Sequence, residues 1–216
     1  MIRRPTRIGA VALAAVALAS VALAGTTAAR SDLTALRAAT ATFNSVAEAG
    51  DAGYGQPPAP APLHECISSF DNSGAMGFHF INGGLLDANV DPTHPEVLVY
   101  APDKHGKLKL VALEFVVFQD AWKAAHGDTM PELFGQMFMA TGFPNRFDIP
   151  AFYSLHVWLY EDNPAGMFAP FNPNVSCDTA AASAGPGRVA TGSIAADLAV
   201  ATTAPRFLCR TSVTSA

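Results

Sequence analysis

The middle of this chain predicts an α+β domain: an antiparallel, twisted sheet or partly closed barrel, with one N-terminal helix and short peripheral helices. Three observations predict it. The segments MGFHFIN (76–82), VLVY (97–100), LKLVALEFVVF (108–118) and FYSLHVWLY (152–160) are rich in β-branched and aromatic residues. The second and third of these flank PDKHGK, whose Gly106 suits the turn of a β-hairpin. Residues 32–49 instead place Leu33, Leu36, Thr40, Phe43 and Ala47 at helical spacing.

In chain order, the first expected element is that helix, from Asp32 to Ala49, with Ser31 or Asp32 able to cap its start and Gly50 to end it. QPPAPAP (56–62) reads as an extended polyproline connector. In MGFHFIN, strict alternation puts Met76, Phe78 and Phe80 on one face and Gly77, His79 and Ile81 on the other. The long strand 108–118 puts Glu114 on the face of Leu110, Ala112, Val116 and Phe118, and the last strand puts His156 with Trp158 and Tyr160. Asp120 to His126 reads as a helical turn ended by Gly127. Thr129–Glu132 has the spacing of a capping box, which predicts a further short helix before Met139. Asp162-Asn163-Pro164-Ala165-Gly166 is turn chemistry. Phe168 and Phe171 with their prolines are expected to cover the sheet as a lid or to line a shallow apolar pocket.

The ends of the chain differ in character from this middle. Residues 1–24 carry Arg3, Arg4 and Arg7, then an apolar run from Ile8 to Leu23 and an A-x-A site at Ala22–Ala24, the pattern of a cleaved secretory signal peptide. An uncleaved membrane anchor is the competing reading of the same run. The expected organisation is signal peptide 1–24, helix and connector 25–62, exported domain 63–177 and a disordered low-complexity tail 178–216. Cleavage removes three arginines and no acidic residue, so the formal charge of −5 falls to −8. An acidic surface argues against nucleic acid and anionic membranes as partners. In an oxidising compartment Cys66 and Cys177, which bracket the apolar middle, are expected to pair, and Cys209 in the tail is the odd one out.

Three polar residues stand where alternation would supply apolar ones: His79, Glu114 and His156. A buried, unpartnered carboxylate costs several kcal/mol, so Glu114 needs a cation, a donor, a metal ion or water. Two histidines and a carboxylate from three strands are a donor set for zinc, iron(II), manganese or copper. The competing reading is a structural polar network, with Glu114 facing solvent or paired to Lys109 or Arg146. No H-x-H or H-E-x-x-H spacing decides between them. Ser68, Ser69 and Ser154 lack a G-x-S-x-G setting, so a serine nucleophile has no support. His94 and His105 are expected to be exposed, and His64 beside Glu65 to form a surface pair.

Taken together, GAMGFHFING, HPEVLVYAPDKHGKLKLVALEFVVF, LFGQ, NRFDIPAFYSLHVWLY and NPAGMFAPFNPNVSC resemble a family of small secreted bacterial proteins, common in actinobacteria, over about Leu33 to Cys177. The resemblance implies an exported domain ending at the second cysteine. It implies no activity; the chain departs from it after Cys177. The expectation is therefore a secreted protein with a polar, divalent-metal-binding site on a β-sheet; as an enzyme it would be a metal-dependent oxidoreductase or hydrolase. The alternative is a non-catalytic extracellular binding or structural domain that meets a partner through the aromatic surface at Phe168–Phe171.

Overall fold

A computed structural model of the protein describes residue 30 and residues 32–177. The expected signal peptide, the tail and Cys209 lie outside the described residues. A strongly curled, antiparallel six-stranded sheet forms a half-barrel, accompanied by a few short helices. The strands are β1 (Ile67–Ser68), β2 (Ala75–Ile81), β3 (Val97–Pro102), β4 (Leu108–Phe118), β7 (Met139–Thr141) and β8 (Phe152–Val157), in the spatial order β1-β2-β3-β4-β8-β7. Glu132–Leu133 (β5) and Gln136–Met137 (β6) make a separate two-stranded hairpin.

The helical segments are α1 (residues 32–40), a 3-10 turn Ala41–Asn44, α2 (Val46–Asp51) and α3 (Gln119–His126). The single helix expected over 32–49 is thus broken. Ser45 adopts an extended conformation and accepts a hydrogen bond from the Glu48 backbone N–H, so it caps a second helix. The break rotates the apolar stripe: Leu36 and Thr40 are fully buried, but Ala47 is exposed and Ala49 takes its place. The capping-box spacing Ser45–Glu48 is legible in the sequence.

The expected helix at Thr129–Glu132 is absent. Pro131 and Glu132 instead lead into the β5–β6 hairpin, whose two turn residues, Phe134 (φ 56°) and Gly135 (φ 72°), both have positive φ. Such a two-residue turn matches the twist of paired strands, and it buries Phe134 against Phe115, ring centroids 5.8 Å apart. The hairpin across Asp103–Lys107 forms as expected, with Asp103 Oδ1 accepting from the backbone N–H of His105 and Lys107.

One face of the sheet buries Phe80, Leu98, Tyr100, Leu113, Phe115 and Leu155 against α1, α2 and the β5–β6 hairpin. Each such side chain contributes about 1.5–3 kcal/mol. The opposite face carries Val97, Val99, Ala112, Val116, Phe152 and Trp158.

Two bulges decide which side chains reach this second face. Between β1 and β2, Ile67 opposes Gly77 but Ser68 opposes Ala75, so Met76 is the extra residue. Met76 accordingly lines the same cavity as His79 and Ile81, instead of joining Phe78 and Phe80. Between β3 and β4, Val99 opposes Ala112 but Tyr100 opposes Leu110, leaving Val111 unpaired. Leu110 therefore joins Leu113 in the first cluster, away from the face of Glu114 where alternation had put it. The Val111 carbonyl is not idle: it accepts from the backbone N–H of both Tyr160 and Glu161. β8 ends at Val157, and Tyr160 turns away from His156 to bond Thr40 through its hydroxyl at 2.8 Å.

Candidate metal centre

His79 on β2, Glu114 on β4 and His156 on β8 point to the same side of the sheet. Glu114 and His156 are direct cross-strand partners. His79 reaches them across β3, where the short side chains of Val97 and Val99 intervene. Glu114 Oε2 lies 3.5 Å from His79 Nε2, and Glu114 Oε1 lies 3.4 Å from His156 Nδ1. One ligand atom from each residue falls within 4.8 Å of the others, so the group could hold one metal ion. All three side chains are buried.

Neither His–Glu approach is as short as a normal hydrogen bond, about 2.7–3.2 Å. The outer nitrogens, His79 Nδ1 and His156 Nε2, are buried with no hydrogen-bond partner. The backbone or hydroxyl partner that a structural network would give His156 is therefore missing. The cations offered to Glu114 by that reading are engaged elsewhere. Lys109 pairs with Glu161, and Arg146 donates to the Ser68 carbonyl and stacks over Phe70.

Burial pushes both imidazoles down from 6.5 to about 4. For His79, Glu114 opposes the shift, His156 adds to it, and the Gly77 carbonyl opposes it slightly without a regular hydrogen bond to Nδ1. Burial also raises the Glu114 carboxyl above its usual range, against the opposing influence of His79 and the Ser154 hydroxyl. At neutral pH the histidines are thus neutral, which is the form that binds metal. In its ionised form Glu114 lacks a full countercharge here, which a cation would supply. Ligand atoms at about 2.1 Å from one tetrahedral ion lie about 3.4 Å apart, so separations of up to 4.8 Å must close by as much as about 1.4 Å on binding.

The group lines a cavity of about 180 Å³. Its walls come from β2 (Met76, Ile81), β4 (Val116, Phe118), β8 (Phe152) and loops carrying Leu63, Leu86, Phe147, Ile149 and Pro170. The loop 142–151 was not legible as part of a site, because its apolar residues fall in an irregular segment with no period to read. Another buried acid was missed as well. Glu96 accepts from the Val116 backbone N–H at 2.9 Å, and burial pushes it up to about 8, with Asp87 and Glu114 adding to the rise.

The remaining candidates fall outside the site. His64 Nδ1 contacts the Pro57 carbonyl at 2.7 Å, and not Glu65. His94 is exposed beside Asp91, and His105 is exposed in its turn. Asn163 forms its expected turn, with Oδ1 accepting from the Ala165 N–H. Phe168 and Phe171 are half-buried, Phe168 against the first core cluster. Among the described residues the exposed aromatics are Phe70 and Phe143. Cys66 and Cys177 are joined, with Cα atoms 5.7 Å apart, within the range a disulfide spans. No helix among the described residues is long and apolar enough to cross a membrane. Comparison with protein-family models, with curated proteins and with solved structures finds no match.

Proposed function

We propose that this is an exported metal-binding protein in which His79, Glu114 and His156 hold one divalent transition-metal ion. One observation carries the reading: three buried ligand-type side chains from three strands converge on one point, with neither His–Glu approach at ordinary hydrogen-bond length. Leaving such a group unpaired in an apolar setting is costly, and a cation among the three offsets that cost. Two nitrogens and an oxygen suit zinc, iron(II), manganese or copper. Three protein ligands leave coordination positions open towards the cavity, which is how catalytic sites, unlike closed structural ones, are built. The export half of the reading rests on the signal-like N-terminus and the Cys66–Cys177 pair.

The test is metal analysis of untagged protein after secretion, followed by reloading with each of the four metals. The expected result is about one ion per chain in the wild type. Glu114→Gln, which keeps the shape and removes the charge, should weaken binding at least tenfold with an unchanged circular dichroism spectrum. Wild-type protein that takes up none of the four metals would overturn the proposal.

A further inference from the structure

The cavity beside the His79–Glu114–His156 group is chemically lopsided. Among the described residues that line it, the ionisable side chains are those three and the other polar side chains are Ser154 and Thr141. The remaining walls are aliphatic and aromatic, with Met76, Val116, Phe118, Phe147, Ile149 and Phe152 prominent among them. A sugar, a nucleotide or a peptide backbone needs hydrogen-bond partners along its length, and these walls supply none. An apolar body with a single polar end fits them.

Charge narrows the polar end. A divalent ion held by one carboxylate and two neutral imidazoles leaves a net charge of one positive unit. Away from water that charge calls for one compensating anion. Volume narrows the body. An apolar cavity of about 150 Å³ takes a benzene molecule, so a cavity of about 180 Å³ takes one ring with a short substituent. We infer that the ligand is a small apolar monoanion, an aryl or short-chain carboxylate, its head on the metal and its body against the Phe147–Ile149 and Phe152 walls. This inference rests on the metal reading above and names the ligand class of the same site.

Cobalt(II) substitution separates the two, because its visible spectrum reports metal binding and ligand exchange independently. Protein stripped by chelator and reloaded with cobalt is titrated with phenylacetate, acetate and 2-phenylethanol. Phenylacetate should shift the spectrum and bind at least tenfold tighter than either acetate, which lacks the ring, or 2-phenylethanol, which lacks the charge. Ile149→Trp, at a half-buried loop position, should lower phenylacetate affinity at least fivefold while cobalt uptake and the acetate response stay unchanged. If cobalt binds and phenylacetate is no better than acetate, the ligand class is wrong and the metal site stands. If cobalt gives no protein-bound spectrum, this inference falls, while the metal reading is decided by uptake of the four metals.

Discussion

Glu96 lies near Glu114 with its carboxyl held against the Val116 N–H; burial chiefly, with Asp87 and Glu114 adding to it, raises its cost of ionisation. The unfolded chain releases the Glu96 proton near 4.5, whereas the folded protein keeps it to about 8. Stability from this residue is therefore complete below pH 4.5 and is lost as pH rises towards 8. The two site histidines act in the opposite sense in metal-free protein. Unfolded they bind protons below 6.5, folded only near 4, so their contribution is present above pH 6.5 and is lost as pH falls towards 4. Glu96→Gln keeps an acceptor for Val116 and should raise stability at pH 8 by up to about 4 kcal/mol, with little change at pH 4.5. Urea midpoints at the two pH values check this, and parallel wild-type and variant profiles would show that Glu96 is charged in the native state. His156→Asn, also metal-free, should flatten the acid limb between pH 6.5 and 4. The sequence makes His79, Glu114 and His156 visible because each interrupts an apolar alternation. Glu96 stays hidden because DPTHPE reads as an exposed loop, and only the curl of the sheet covers its last residue.

At the level of elements, phase matters more than length. The bulge at Met76 brings that side chain onto the face of His79 and Ile81, whereas His79 meets Glu114 through the regular pairs His79–Val99 and Val97–Glu114. That bulge depends on Gly77, whose φ of +115° disfavours any side chain and whose added Cβ would sit 2.4 Å from the Tyr100 carbonyl oxygen. Gly77→Ala is expected to cost about 2–4 kcal/mol, drawn from backbone strain and the clash together. Denaturant unfolding measures the cost, and a loss below about 0.5 kcal/mol would show that the bulge relaxes freely. The strands and the central hairpin were legible because their composition and turn residues agree. The bulges were not, since an inserted residue leaves the β-composition untouched and shifts only its phase. The same weakness of local pattern explains the hairpin at Glu132–Met137. A capping-box spacing is consistent with a helix start, but here burial of Phe134 against Phe115 decides the outcome.

For the molecule as a whole, the Cys66–Cys177 link joins the start of the sheet to the loop that closes it, 111 residues later. Leu63 lies three residues before one cysteine and Pro170 seven before the other, and both line the cavity. Replacing both cysteines by serine should lower stability by about 4–5 kcal/mol in the chain-entropy account. It should also loosen the cavity rim, seen as faster amide exchange around Leu63 and Pro170; unchanged stability would show that the rim is held by packing alone. The α+β class and the cysteine pairing follow from the sequence, because burial and compartment both leave compositional marks. The closure of the half-barrel does not, since curl is set by the bulges and by the latch of Asn172 onto Ala75 through paired backbone hydrogen bonds. The order of the strands has one more consequence. The two outermost strands, β1 and β7, are two and three residues long. Each offers too little unpaired backbone for another chain to add to. A sheet that is open in geometry thereby offers little edge for pairing with a second copy.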